Sequence, residues 1–403
     1  MGMLSGVKIA EFGGVVAGAY ATKYLSLMGA QVIKIESMNK LDLSRVTPAG
    51  VYRMVSLSPT DTVISNENNI NKMDVTLDLR EPEAQELAMR IILMSDIVVE
   101  NFRPGIMERF GLSYSKVKEL KPNVIYLSMS MAGNTGPEAN YTGYAPIFSA
   151  LGGMGHLTGY YDGPATEIRF PTDIMAGTTA AFSLLAAIIH HKKTGEGQYI
   201  DFSDREASTA IIGESIMDYT MNDRNLSREG NRDDVMAPHN CYRCQGDDKW
   251  VSIAIATDEE WQAFCDAIGN PDWTRELRFS DGFDRWQNQE ELDRLIQVFT
   301  LEHTHYEVMD ILQKAGVAAM PSFNAEELCG DPHLGDRELM VVVDHQTLGA
   351  QTVFSPPWKA SQNPPEILTA GPPVGQHNEY VFRKLLQLSE EEYSRLVEKK
   401  IIY

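Results

Sequence analysis

The sequence predicts an α/β protein: a mostly parallel sheet flanked by helices, interrupted by a smaller α+β domain. Short apolar, strand-like runs alternate with helical stretches over the first 130 residues, which argues for βαβ units and parallel pairing. After about residue 225 the pattern changes to one strand followed by three helical stretches. From Pro356 onward, proline pairs mark an extended segment that suits a return to the first domain. The boundaries read as 1–224 for the first part of the large domain, 225–325 for the small domain, and 326–403 for a linker and return.

Val7-Lys8-Ile9-Ala10-Glu11-Phe12 alternates like a strand, and Gly13-Gly14 ends it. Residues Ala17 to Met28 read as a helix stopped by Gly29, and Gln31 to Glu36 as a second strand. That unit implies a right-handed crossover. Asp74 to Leu79 is strand-like, and Pro82 to Met94 is a helix with proline in its first turn. Ile97 to Glu100 and Val124 to Ser130 are strands joined through a Ser113 to Leu120 helix. Asp173 opens a long apolar helix that closes on His190-His191-Lys192-Lys193-Thr194-Gly195, cations and then a glycine stop. Gln198 to Phe202 is the next strand. In the small domain Trp250 to Ile255 is a strand, and Asp258 to Ile268, Gln287 to Thr300 and Tyr306 to Ala315 are helices.

Of the 403 residues, 43% are hydrophobic and 23% charged, which is ordinary for a globular enzyme and argues against extended disorder. Lys and Arg number 35 against 56 Asp and Glu, a formal charge of −21. That sign disfavours nucleic acid and anionic membranes, whose binding needs cations. Four cysteines are too few for a disulfide scaffold. No basic segment followed by an apolar stretch marks a secretory signal, and the apolar stretch Ile174 to Ile189 reads as short for a bilayer span. A cytoplasmic location is expected.

Gly13-Gly14-Val15-Val16-Ala17-Gly18 with Glu36 is close to a dinucleotide fingerprint, but Val15 replaces the glycine that lets pyrophosphate approach the backbone. No G-K-[ST] follows a glycine-rich loop, so a P-loop is excluded. Cys241-Tyr242-Arg243-Cys244 has no second pair at zinc spacing and reads as packing. No G-x-S-x-G elbow is present. Asp173, after Pro171-Thr172, has two readings. It is either an N-cap or a carboxylate nucleophile beside free N–H groups that serve a developing oxyanion.

At these residues the chain resembles the family III coenzyme A transferases, a group that includes formyl-CoA, carnitine-CoA and benzylsuccinate-CoA transferases and the methylacyl-CoA racemases. The resemblance runs through Leu4-Ser5-Gly6-Val7-Lys8-Ile9, Gly29 to Glu36, Asn71-Lys72 with Leu77-Asp78-Leu79, and Thr194-Gly195-Glu196-Gly197-Gln198. Val98-Val99-Glu100-Asn101-Phe102-Arg103-Pro104-Gly105 with Arg109-Phe110-Gly111-Leu112 is its most specific block. Asp331-Pro332-His333-Leu334 and Gly375-Gln376-His377 complete it.

The resemblance implies a Rossmann-like large domain built from both chain ends, and two chains interlocked as rings. It implies Asp173 as the nucleophile of a CoA transfer from an acyl-CoA donor to an organic acid through an aspartyl-CoA thioester. No cofactor or metal is implied; coenzyme A is a substrate. Local positive charge must hold it on an acidic protein, and the family positions nominate Lys72 and Arg109. Asn101 and Phe102 match positions near the CoA chain, and Val15-Val16-Ala17 the turn approaching the thioester. Asn71, Ile106 and Tyr144 complete the CoA-binding set.

Several departures narrow the substrate. Val16 stands where formyl-CoA transferase has glutamine. The arginine after the second strand is replaced by Ser37 and Met38, with Lys40 nearby, and the four-glycine run has no counterpart in 236–246. Oxalate and formate are therefore not expected; a succinyl-CoA donor with a bulkier, aromatic or branched acid is. The rival is a 2-methylacyl-CoA racemase, but Tyr144 occupies the racemase histidine's place, with His156 the nearest substitute. A third reading is one subunit of a heteromer of related chains; homodimer and heteromer both remain open.

Overall fold

The structure, a computed structural model, describes residues 2–46 and 61–403. The chain divides into two compact units. The first comprises Met1–Gly155, Glu167–Asn225 and Gly335–Tyr403; the second comprises His156–Thr166 and Leu226–Leu334.

In the first unit, six strands pair in parallel: β1 (Lys8–Glu11), β2 (Gln31–Glu36), β3 (Met73–Thr76), β4 (Ile97–Glu100), β5 (Ile125–Ser130) and β6 (Gln198–Ser203). Their spatial order is 3-2-1-4-5-6, the doubly wound arrangement in which ligands bind beyond the carboxyl ends of the strands. Helix α1 (Ala17–Leu27) follows β1. Helices α2 (Leu43–Val46) and α3 (Val63–Asn68) lie between β2 and β3, α4 (Pro82–Met94) between β3 and β4, and α5 (Ile106–Arg109) and α6 (Tyr114–Leu120) between β4 and β5. Helices α7 (Ala145–Leu151), α8 (Met154–Leu157) and α9 (Phe170–Thr194) separate β5 from β6, and α10 (Asp204–Ile211) and α11 (Gly213–Asn222) come after it.

Side chains alternate across a strand, so a sheet covered on both faces must be apolar on both. Ile9, Val32, Ile97, Val99, Ile125 and Leu127 pack under α1 and α9. Ala10, Ile33, Val75, Val98, Val124 and Tyr126 pack on the other face against α4 and α6. Val381, Phe382, Leu396 and Ile402 from the chain's end complete that second cluster.

Helix α9 starts at Phe170 and runs 25 residues, so it begins earlier than Asp173 and is longer than the sequence reading expected. Its Pro171–Thr194 stretch is long and apolar enough to cross a membrane by length and composition. Ala176, Ala180, Ala181, Leu184 and Ile188 bury one side of it in the first unit's core.

Below the site, Arg45 is buried among Glu36, Asp61 and Asp74. Burial works against the Glu36 charge, but Lys34 and Arg45 outweigh it and hold that carboxyl down to about 2. Glu36 is thus committed to Arg45 and is not free for a ribose.

The second unit holds a three-stranded antiparallel sheet, β7 (His239–Arg243), β8 (Trp250–Ala254) and β9 (Ala318–Pro321), with helices α12 (Asp258–Ala267), α13 (Gly282–Gln287), α14 (Gln289–Leu301) and α15 (His305–Lys314). Cys244 and Cys265 are packed in its core. Residues 156–166 belong to this unit, although the sequence reading placed them in the first domain. Gly230 N–H donates to Gly159 O at 2.8 Å and Arg228 Nη1 to His156 O at 2.9 Å. Such backbone ties between distant segments leave no local pattern.

Replacing Arg45 with Met leaves three buried carboxyls without their shared cation. A loss of about 3–5 kcal/mol is expected, measured as a fall in the urea midpoint at unchanged m-value.

Candidate active site

The site is built at the carboxyl ends of the central strands. The turn after β1 is held in a conformation that its residues do not prefer. Val15 has φ 57°, a region that β-branched residues rarely adopt. Contacts from distant segments impose it. Asp42 accepts the Val15 N–H through both oxygens, at 2.9 and 3.0 Å. Asn101, just past β4, accepts from Gly14 N–H at 2.8 Å and donates to Gly14 O at 3.0 Å. A Cβ on Gly18 would stand 2.6 Å from Asn101 Cγ, so glycine there makes room for the clamp.

The turn ends where α1 begins, and the first N–H groups of a helix have no intrahelical acceptor. Those of Val16 and Ala17 find no acceptor among the described residues. Both residues line a cavity of about 340 Å³ with Asn101, Phe102, Met131, Tyr144 and Asp173.

Asp173 reaches this cavity because α9 packs close to the start of α1. Gly177 lies one turn further on, on the same helix face. A Cβ there would meet Ala17 O at 2.7 Å and Tyr20 Cβ at 2.8 Å. The N-cap of α9 is Arg169, so the capping alternative for Asp173 is corrected: the aspartate lies inside the first turn. Burial pushes its carboxyl up to about 6, which leaves it mostly ionised at neutral pH.

A second carboxyl lines the same cavity. Asp204 is 9% exposed, and burial, reinforced by the Asp173 charge, raises its carboxyl well above the usual range. Its place in the first turn of α10 favours ionisation by at most about 2 kcal/mol. Desolvating a carboxylate costs several, so burial prevails and favours the neutral acid at Asp204.

A neighbouring cavity of about 460 Å³ shares Gly14, Lys40, Asp42, Phe102 and Arg103 with the first, and adds Ile35, Arg80, Ile106 and Phe110.

Among the nominated residues, Val15, Val16, Ala17, Asn101, Phe102, Tyr144 and Asp173 line the first cavity, and Phe102 and Ile106 the second. Asn71, Lys72 and Arg109 line neither. The Asn71 side chain ties down the returning tail, donating to Glu366 O and accepting from Leu368 and Thr369 N–H. Lys72 is 2% exposed, with its ammonium 2.9 Å from Glu11 and bonded to Ala19 O. Burial draws it down to about 8 in spite of Glu11. Arg109 ends α5, exposed.

The cations that do line the cavities are Lys40 and Arg103, both exposed, and Arg80, paired with Asp78. Arg103 lies within the Asn101-Phe102-Arg103-Pro104 block, whose position after an apolar strand was the available signal. His156, the candidate second base for a racemase, does not line the Asp173 cavity.

The model of CoA-transferase family III matches residues 4–378. The chain belongs to that family. The CoA-transferase is similar to the succinyl-CoA–D-citramalate CoA-transferase of Chloroflexus aurantiacus, at 32% identity over 99% of this chain and 98% of that one. It is 30% identical to the succinyl-CoA–L-malate CoA-transferase alpha subunit of the same organism, over 99% of this chain and 92% of the relative. The crystal structure of a CAIB/BAIF family protein from Brucella suis matches with a TM-score of 0.86 at 26% identity, covering 95% of the CoA-transferase and 99% of that chain.

Lys72→Met is expected to lower the stability of the CoA-transferase by about 3–5 kcal/mol, because Lys72 is the close buried partner of Glu11. Affinity for CoA esters should stay at the wild-type value. Denaturant unfolding and calorimetric titration with a CoA ester read the two effects separately. Arg103→Ala is expected to show the converse, weaker CoA-ester binding at unchanged stability.

Proposed function

We propose that this CoA-transferase moves CoA from succinyl-CoA to a dicarboxylic acid through an aspartyl-CoA thioester on Asp173. The observation that carries this reading is an ionisable carboxylate in a cavity beside the uncommitted N–H groups of Val16 and Ala17. The relatives named for a succinyl-CoA donor with citramalate or malate support the class of acid.

Asp173 attacks the thioester carbonyl, the C–S bond breaks, and a mixed anhydride and CoA thiolate form. The thiolate then attacks the aspartyl carbonyl, giving the enzyme thioester and releasing succinate. The acceptor carboxylate attacks that thioester, and thiolate returns to the acyl carbon of the new anhydride. Each step exchanges acyl groups of similar energy, so the reaction needs no cofactor. The free N–H groups at the start of α1 hold the oxyanion of each tetrahedral intermediate. The larger cavity takes the nucleotide of CoA, its base among Ile35, Phe102, Ile106 and Phe110 and its phosphates toward Lys40, Arg80 and Arg103.

The working form is an assembly of two chains, interlocked as in the family, in the cytoplasm. Phe182, Ile211, Met217 and Met221 support association: all are large, apolar and exposed along α9 to α11. Homodimer and heteromer remain alternatives, since one relative is named as an alpha subunit.

Asp173→Ala is expected to abolish transfer in a folded protein. Enzyme given succinyl-CoA without acceptor should accumulate an adduct of CoA on the peptide spanning Arg169 to Lys192, detected by mass spectrometry and trapped by hydroxylamine. A label on Glu167, Asp201 or a cysteine would sink the mechanism. The nucleophile is the ionised form, so turnover should rise with pH through about 6 and then level off. A 2-methylacyl-CoA incubated in D₂O should keep its α-proton; rapid deuterium uptake would favour the racemase.

A further inference from the structure

Two buried polar atoms on residues that line the Asp173 cavity have no hydrogen-bond partner among the described residues. Ser130, the last residue of β5, and Asp204, the first of α10, both line it. Each is 9% exposed, and neither Ser130 Oγ nor Asp204 Oδ1 makes a hydrogen bond among the described residues. They are close along the fold, because Ser130 pairs in register with Ser203, the residue before Asp204. Ser203 caps α10 by accepting from Glu206 N–H, so Asp204 is not needed there. A buried polar atom left unpaired is costly, and each such atom needs an explanation. Neither the nucleophile, the oxyanion donors nor the nucleotide cavity uses these two.

We propose that Asp204 and Ser130 form the subsite for the far carboxylate of the transferred dicarboxylic acid, each donating an O–H hydrogen bond to it while the near carboxyl reacts at Asp173. This assignment rests on the transfer reading above. Only a protonated Asp204 has a hydrogen to donate; ionised, it would repel the acid. The charged and titratable groups on the elements around it are Asp173, His190, His191, Lys192 and Lys193 on α9, Tyr126 on β5, Tyr144 ahead of α7, Tyr199 and Asp201 on β6, and Arg205 and Glu206 on α10. Arg205 is paired with Glu138, and Asp201 accepts from Asn134 and Thr135. Asp173 is the charge that acts on Asp204, and it favours the neutral acid. Lys40 and Arg103 line both cavities, whereas Ser130 and Asp204 line only the one with Asp173. The far end of the acid is thereby read apart from the nucleotide. Donor and acceptor are both dicarboxylates, so one pair of O–H groups serves both half-reactions.

The test compares succinyl-CoA with butyryl-CoA, which has the same chain length and no far carboxylate. Binding is measured by calorimetry in an Asp173→Asn background, where no adduct forms. Adding Asp204→Leu should cut the preference for succinyl-CoA by about 10–100-fold, the loss of a hydrogen bond to a charged group. Ser130→Ala should cut it in the same direction. Asp204→Asn keeps an N–H donor with no proton to lose, so it should retain most of the preference. The inference is overturned if Asp204→Leu weakens both esters equally or leaves the preference unmoved. Should that variant not fold, Ser130→Ala with an unchanged preference overturns it. A wild type that prefers succinyl-CoA but transfers CoA to no acid would instead defeat the transfer reading and leave the subsite standing.

Discussion

The close approach of α9 to the start of α1 is the constraint on which this site depends. Two helix backbones come this near only where a side chain is missing. Gly177 provides that gap, since a Cβ would strike Ala17 O and Tyr20. Ala176, Ala180 and Ala181 continue the seam as small buried residues. Asp173, one turn before Gly177, is carried to the cavity by this packing. The partner surface is the strained turn after β1, and Asn101 and Asp42 hold it from two other strand ends. Asp173 and the N–H donors thus come from separate helices locked by backbone contact, a more rigid support than side chains on loops provide.

Electrostatics follow from the same packing. The net charge of −21 conceals a division of labour among the cations. Lys34, Lys72 and Arg45 are buried and neutralise Glu11, Asp42, Glu36, Asp61 and Asp74 beneath the sheet's carboxyl edge. Lys40 and Arg103 stay exposed at the cavities. Burial also separates the two cavity carboxyls. Burial raises Asp173 to about 6, and burial together with the Asp173 charge raises the more deeply buried Asp204 well above the usual carboxylate range.

Much of this was legible in the residues. Alternation in Val7 to Phe12 and the Gly13-Gly14 break describe β1 and its turn. The Asn101-Phe102 block follows an apolar strand and lines the cavities, and Asp173 stands early in an apolar helix. Lys72 was nominated for CoA because a lysine in sequence carries no mark of whether an internal carboxylate has claimed it. Glu11 is 61 residues away from Lys72. Ser130 and Asp204 drew no attention because each looks like an ordinary strand end or helix start. The absence of a hydrogen-bond partner becomes visible only when every neighbour is in place.

The sequence by itself determined the α/β class, the family and the chemical types at hand, because those are written in local periodicity, turn residues and short ordered blocks. The tertiary structure alone decided which cations are paired, which carboxyls burial shifts and which buried polar atoms are left unpaired. The reason is physical. Strand and helix patterns arise from neighbours a few residues apart. Charge pairing and protonation depend on desolvation by segments that the sheet order 3-2-1-4-5-6 brings together from distant parts of the chain.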